Sequence, residues 1–491
     1  MESMQGETLI TTTFDGLSPT TLEVPALTII AHPDPSRVGE VVILTELRGD
    51  EAVKLSRLEP AFAAPGSFDS KPLAISHLSR QPIILRADGD SGVKVVRAGS
   101  RTAVDIAGER LQEERVLSTD DLRSGVVLDL GHRVVLMLHY HHPLDIEVPS
   151  FGMVGESTPM IRVRQEVHLV AHLDTPVLVR GESGTGKDLL ARAIHEAGPR
   201  GSESFVPVNL PAITPATATA ELFGSIADEE QEGCFRHADG GTLFLDEIGD
   251  VHPDVQQVLL RALENSEVQP VGSDKPIKVD LRAVAATDAD LEVAVAEGRF
   301  KAQLLHRVAA YEIRLPPLRE RRSDFGRLLY HFLREELAIL GEDDALTAPD
   351  ASGRPWPPAD LVARLASFDW PGNVRQLRNA ARRLAVARQA GTSLSASILE
   401  RLVDPSTETG TFERSDVVRE LEKDAANETV RSTSEDPEAE DTLVSESLAG
   451  KSWEPVYKKP KEVRGKKFRE ALKAHRFDLD DLVDGLPKKK G

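Results

Sequence analysis

Up to about His142 the apolar residues fall in short runs, among them Leu27-Thr28-Ile29-Ile30, Val41-Val42-Ile43-Leu44, Ile83-Ile84-Leu85 and Val126-Val127-Leu128-Asp129-Leu130. Turn residues separate these runs and no long helical period appears, which predicts a β-sandwich over residues 20–142. From Met153 to about Pro317 apolar strands alternate with helical periods, the signature of a parallel sheet. Residues 319–403 read as helical, as in Phe325-Gly326-Arg327-Leu328-Leu329-Tyr330-His331-Phe332-Leu333, with a loop rich in Pro, Asp and Gly between Gly341 and Ala359. From Asp404 to Gly450 the chain is acidic, rich in Ser and Thr and poor in aromatics, so disorder is expected there. A basic segment follows, with Lys458, Lys459, Lys461, Arg464, Lys466, Lys467 and Arg469.

The chemistry concentrates where one strand runs into glycines. Val177-Leu178-Val179 enters Gly181-Glu182-Ser183-Gly184-Thr185-Gly186-Lys187-Asp188, and a helical pattern starts at Leu189. Glycines let the backbone wrap a phosphate with its N–H groups pointing inward, the helix dipole adds positive potential, and Lys187 supplies a charge for the β- and γ-phosphates. Asp188 stands where Ser or Thr is usual in such loops. Downstream, the apolar strand Thr242-Leu243-Phe244-Leu245 ends in Asp246 and Glu247. Asp246 is placed to hold Mg²⁺, directly or through water, and Glu247 to orient and deprotonate an attacking water. ATP and Mg²⁺ are therefore the expected cofactors.

Composition narrows the rest. A chain of 491 residues exceeds a single core, so several domains are expected. The formal net charge of -21 argues against general nucleic-acid affinity, and DNA contact would need a local basic patch. Cys234 is the only cysteine, which excludes an intramolecular disulfide or a cysteine-rich metal site and suits a reducing compartment. Met1–Glu7 lacks a signal-peptide pattern and no apolar run reaches membrane-spanning length, so a cytoplasmic location without membrane contact is expected. His139, His141 and His142 read as solvent-facing histidines at a strand end, not as metal ligands.

Several motifs recur in a family order. Gly155-Glu156-Ser157, the Gly181–Asp188 loop, Glu221-Leu222-Phe223-Gly224, Ala238–Gly249, Leu315-Pro316-Pro317-Leu318-Arg319-Glu320-Arg321 and Trp370-Pro371-Gly372-Asn373-Val374-Arg375-Gln376-Leu377 together resemble the AAA+ domain of bacterial enhancer-binding proteins, the ATP-driven activators of sigma-54 RNA polymerase. The resemblance covers about Val154 to Val403. It implies an α/β P-loop ATPase core over 153–318 with a helical lid over 319–403. It makes Asn209 the residue that holds the catalytic Glu247 until the nucleotide changes, and Thr287-Asp288 the first sensor, where Asp288 replaces the usual Asn. Arg375 becomes the lid arginine that reaches the γ-phosphate. Arg307 becomes a finger reaching a neighbouring subunit, while Lys301 replaces a second finger and loses the planar fork of arginine. Fingers acting in trans imply a ring, usually a hexamer. Between Gly224 and Gly233 the family carries a longer loop containing Gly-Ala-Phe-Thr-Gly-Ala that grips sigma-54. Here Ser225-Ile226-Ala227-Asp228-Glu229-Glu230-Gln231-Glu232 replaces it, so direct sigma-54 remodelling is not expected.

The ends of the chain complete the expected multidomain architecture. The sandwich resembles a forkhead-associated domain, a reader of phosphothreonine, through Leu55-Ser56-Arg57, Leu78-Ser79-Arg80 and Gly108. The resemblance implies that Arg57, Ser79 and Arg80 bind a phosphate by charge-assisted hydrogen bonds. Pro82 stands where a histidine is usual and Ala107 where an asparagine fixes the peptide. A disordered acidic linker and the basic segment fill 404–460, and Phe468–Leu486 within 461–491 resembles the start of a helix-turn-helix, a short helical remnant ending where the recognition helix would begin. DNA binding is therefore expected to be weak or absent. The combined expectation is an ATPase regulator of transcription coupled to a phosphothreonine reader. A non-hydrolysing ATP-binding scaffold and an ATPase acting on another protein are the alternatives.

Overall fold

The short N-terminal runs pair into two antiparallel sheets. The larger has eight strands in the order Ser70–Pro72, Ala61–Ala63, Val41–Ile43, Val24–Ala31, Val134–His141, Val126–Leu130, Val104–Ile106 and Glu109–Arg110. The smaller has four, in the order Glu114–Leu117, Gly92–Val96, Ile83–Asp88 and Val53–Leu55. The computed structural model describes residues 23–49, 51–89, 92–142, 148–225, 232–347 and 355–389, all within one unit of the chain. The linker, basic segment and helix-turn-helix-like remnant expected over 404–491 lie outside these residues, as does 390–403.

The two sheets are buried differently. In the smaller sheet Val53, Leu55, Ile83, Leu85, Val93 and Val95 face inward, while the residues between them are more exposed. The central strands of the larger sheet do not alternate: every residue of Val24–Ala31 and of Val126–Leu130 is buried. Leu27, Ile29, Leu128, Leu130, Leu136 and Leu138 meet the smaller sheet. Ile30, Ala31, Val127, Val135 and Met137 meet helices of the C-terminal region. A strand covered on both faces must be apolar at successive positions. Each of the larger side chains at this second face stabilises the junction by about 1.5–3 kcal/mol relative to exposure.

His139 corrects one expectation. Its ring is buried, with Nε2 2.8 Å from Thr28 Oγ1 and Nδ1 2.8 Å from the Tyr140 carbonyl oxygen. Burial lowers its pKa from 6.5 to about 4. It is a neutral interior group, whereas His141 and His142 remain partly exposed.

The middle of the chain forms a five-stranded sheet in the order Phe205–Asn209, Thr242–Asp246, Arg282–Thr287, Val177–Arg180 and Tyr311–Arg314. Every pairing in it is parallel. One face, with Val177, Val179, Phe244, Val284 and Ile313, packs on helices Thr158–Ala171 and Lys187–Glu196. The other, with Leu178, Leu243, Leu245 and Ala285, packs on helices Pro253–Asn265 and Ala302–Val308. Helices Phe325–Leu340, Ala359–Ala366 and Asn373–Gln389 follow and close around Trp370, which is 1% exposed. Among the described residues no helix is long and apolar enough to cross a membrane.

Candidate functional site

The carboxyl ends of the parallel strands converge on the glycine-rich loop, the place where open α/β sheets bind ligands. Register sets Arg180 beside Thr287 and Asn209 beside Asp246. Gly181 N–H donates to the Thr287 carbonyl oxygen at 3.2 Å, tying the loop's entry to the neighbouring strand. Gly184 and Gly186 have φ of 76° and 101°, left-handed values that glycine adopts without strain. Thr185 Oγ1 donates to the Glu182 carbonyl at 2.7 Å. The buried Lys187 ammonium bonds the carbonyls of Gly181 at 2.9 Å and Glu182 at 3.4 Å, so the loop folds around it. The helix that begins at Lys187 has no side-chain cap, which leaves its first N–H groups for a ligand. Asp188 lies exposed in that first turn, and Ser183 is exposed in the loop.

Asp246 and Glu247 stand at the end of the adjacent strand. Asp246 Oδ1 accepts the Glu247 N–H at 3.1 Å. Burial pushes the Asp246 pKa up; Lys187 and Arg375 pull it back and Asp188 opposes them, so loop, strand and lid act on one carboxylate. Glu247 has φ 54° and ψ 47°, a left-handed conformation that costs a residue with a Cβ roughly 1–3 kcal/mol. Just beyond it, a Cβ on Gly249 would lie 2.6 Å from Thr287 Oγ1, so the glutamate's turn presses on the strand carrying Thr287. Asp288 follows, exposed. The group has the carboxylate oxygen, the cation and the uncapped helix N-terminus that a magnesium–nucleotide phosphate requires.

The lid reaches the same loop. Arg375 Nη1 donates to Ser183 Oγ at 3.1 Å, and the Val374 and Arg375 N–H groups donate to the Gly184 carbonyl at 3.0 and 3.2 Å. A Cβ at Gly184 would collide with the Gly372 carbonyl oxygen, so this glycine serves the lid as well as the phosphate. Asn373 Nδ2 donates to Glu182 Oε2 and the Ser183 carbonyl, each at 3.1 Å. Arg319 clamps the Glu182 carboxylate with bonds of 2.8 and 2.6 Å, which hold the Glu182 pKa down. Buried Arg321 donates to the Thr185 carbonyl at 3.3 Å. The sequence motifs 319–321 and 373–375 point to these residues, yet their common partner, the phosphate loop, is visible only in three dimensions.

Other expected site residues stand apart. Arg307 is exposed and donates through Nε and Nη2 to the Leu263 carbonyl at 2.8 and 2.5 Å; it hydrogen-bonds no phosphate-loop residue. Lys301 begins the same helix, its backbone N–H bonded to Gln256 Oε1 at 2.9 Å. The Asn209 side chain caps no helix. Of the acidic turn, residues 226–231 lie outside the described residues, and its flanks pair through Gly224 with Glu232 and Ser225 with Val271. On the sandwich, Arg57 N–H donates to the Ser79 carbonyl at 3.4 Å, Arg57 Nη1 to the Ser76 carbonyl at 3.5 Å, and Ser79 N–H to Thr102 Oγ1 at 2.8 Å. The two loops are thus adjacent, with Arg80 exposed beside them.

Comparison with known proteins assigns the central segments. Residues 153–314 match the Sigma-54 interaction domain, and residues 319–415 match an AAA+ ATPase lid domain. The chain is 43% identical over 265 residues to the transcriptional regulatory protein ZraR of Escherichia coli, a match covering 51% of this chain and 57% of that protein. It is 41% identical over 280 residues to the DNA-binding transcriptional regulator NtrC of Salmonella typhimurium, covering 55% of this chain and 58% of that one. A crystal structure of NtrX from Brucella abortus in complex with ATP aligns at 31% identity and a TM-score of 0.46, covering 57% of this chain and 63% of that one. The chain thus spans less than two thirds of the length of these relatives. Its central part is an AAA+ domain of the sigma-54 interaction type, followed by its lid.

Proposed function

We propose, from that AAA+ domain and lid, that this chain binds and hydrolyses ATP and regulates transcription. The observation that carries this reading is the meeting of Lys187, Asp246, Glu247 and Arg375 at one loop. Lys187 and the loop N–H groups would hold the β- and γ-phosphates. Asp246 would hold Mg²⁺, which supplies charge neutralisation at the phosphates when bound. Glu247 would take the proton of the attacking water, with Asn209 restraining it, and Arg375 would report the γ-phosphate to the lid. Arg307 hydrogen-bonds no residue of its own loop, which supports a role in a neighbour's site and hence a ring, hexameric or similar.

The sandwich would bind a phosphothreonine protein ligand through Arg57, Ser79 and Arg80. The short acidic segment 225–232 lacks the aromatic tip and glycine hinges of a sigma-54-gripping loop, and its carboxylates would repel an acidic surface. We therefore infer another protein target for the ATPase. Lys301 and Asp288 favour a second reading, an ATP-binding scaffold without turnover. Phosphate release from the purified chain with ATP and Mg²⁺ tests the first reading: steady turnover is expected, and tight ATP binding with none supports the scaffold. In a purified sigma-54 open-complex assay no stimulation is expected. Stimulation by the unmodified chain would mean that another surface carries the contact.

A further inference from the structure

The sandwich meets the lid across a broad apolar interface, whereas its link to the ATPase core is narrower, with the His142 N–H donating to Thr158 Oγ1 at 3.3 Å and Val154 and Leu318 at the edge of the apolar cluster. Ile30, Val127, Val135 and Met137 share one hydrophobic cluster with Phe325, Leu329 and the rest of the lid. The two clusters of the core contain no sandwich residue. The junction is close: a Cβ at Gly326 would lie 2.6 Å from the Ile30 carbonyl oxygen and 2.9 Å from its Cα. Arg327 Nη2 donates to the Gly39 carbonyl at 2.6 Å and Arg334 Nη2 to the Pro35 carbonyl at 3.3 Å, sealing its rim.

The lid's other attachment has a different character. Toward the phosphate loop its contacts are hydrogen bonds and an ion pair: the half-exposed Arg319–Glu182 pair, the bonds of Asn373 and Arg375 to Glu182 and Ser183, the Arg321 bond to Thr185 and the backbone bonds to Gly184. Exposed ion pairs contribute little, and a γ-phosphate would compete with Ser183 for Arg375. A packed apolar interface has no such competitor and does not deform continuously. Near the junction of the two, Asp324 is fully buried and accepts the Glu156 and Ser157 N–H groups at 2.6 and 2.8 Å, with Ser157 Oγ donating at 2.5 Å. Such a bond set fixes a point and suits a pivot.

We propose that the sandwich and the lid form one rigid arm, pivoting near Asp324, and that nucleotide at the phosphate loop swings the whole arm against the ATPase core. The sandwich's ligand-reading loops are thereby carried from one position to another by the state of the ATP site. Coupling of this kind is reciprocal: a ligand that holds the sandwich in one position shifts nucleotide affinity by the same factor. The inference rests on the reading that the Gly181–Asp188 loop binds nucleotide.

The test uses the full chain in a Cys234→Ser background with spin labels at pairs of introduced cysteines. Val116 on the sandwich, Ile339 on the lid and Leu169 on the core are exposed positions on regular elements. Between ADP and a non-hydrolysable ATP analogue, the Val116–Ile339 distance should stay constant while Val116–Leu169 and Ile339–Leu169 shift together. A constant Val116–Leu169 distance beside a shifting Ile339–Leu169 distance overturns the arm, as does the absence of any shift with nucleotide bound. Binding is measured separately with a fluorescent ATP analogue and a Lys187→Ala control; no binding at all refutes the nucleotide reading itself. Gly326→Ala supplies the second variant. It favours the lid helix intrinsically but wedges the junction, so the Val116–Ile339 distribution should broaden and Val116–Leu169 should lose its nucleotide dependence. An unchanged distribution in that variant also counts against the arm.

Discussion

The molecule has two regions read as phosphate binders, and they are built in opposite ways. At the glycine loop the backbone would do most of the binding: glycines at left-handed angles shape the turn, and one lysine adds charge. On the sandwich the candidate groups are side chains on separate loops, with Arg57 and Ser79 brought together by a single backbone bond. A backbone site is specified by a contiguous stretch of residues. A side-chain site depends on how two distant turns settle on a sheet, and single substitutions can empty it while the fold persists. Local sequence therefore states the first kind of site and only suggests the second.

The contrast can be tested by size of effect. Glu247→Gln should leave ATP affinity near that of the parent and lower hydrolysis by about 10²–10⁴-fold in a single-turnover assay; hydrolysis within a few-fold of the parent would remove Glu247 from the role of base. Lys187→Ala should weaken ATP binding by about 1.5–3 kcal/mol, the range of hydrogen bonds to charged groups, measured by titration calorimetry. Arg57→Ala should cost a phosphothreonine peptide about 1.5–2 kcal/mol and leave ATP binding unchanged. If a phosphothreonine library yields no ligand for the parent chain, the sandwich is a docking module.

Acid tests the interior of the sandwich. The folded chain holds His139 neutral down to about pH 4, whereas the unfolded chain protonates it near 6.5. The unfolded state thus binds more protons between those values, and stability falls as pH drops through that window. At pH 5 the sandwich should be about 2 kcal/mol less stable than at pH 7, seen as faster hydrogen exchange in Val24–Ala31 after correction for intrinsic rates. A His139→Gln variant should weaken this dependence without abolishing it, because burial also lowers the pKa of His32, His141 and His142. The smallest effect is expected from Lys301→Arg, which should raise hydrolysis by under about tenfold, the worth of one added hydrogen bond; equal rates would show that the lysine does not limit turnover.

Much of the central architecture was legible in the chain because strand, glycine turn and helix follow one another directly. The parallel sheet and the helical region after it are where the apolar pattern puts them. What was not legible lies between segments. The run Leu27-Thr28-Ile29-Ile30 suits a sandwich strand, but its second buried face needed the lid helices to explain it. The continuous apolar character of Val126–Leu128 and Val134–Leu138 was the available signal, since a sheet with one wet face would alternate. Glu182 sat inside the phosphate loop and Arg319 in a separate motif, and nothing in their spacing announces a bidentate pair. His139 misled because its neighbours His141 and His142 do sit near the surface, and the strand buries only the first of them this deeply.

The backbone at Glu247 has a further meaning for how this protein can change over generations. A left-handed glutamate is a standing disadvantage to folding, tolerated where the side chain is useful. Replacing it with glycine would relieve backbone strain, offset by about 0.4–1 kcal/mol of added freedom in the unfolded chain, while deleting the proposed base. On the proposed role of Glu247, losing the base would therefore cost the fold little. A lineage under no selection for turnover would therefore meet little resistance from stability at this position.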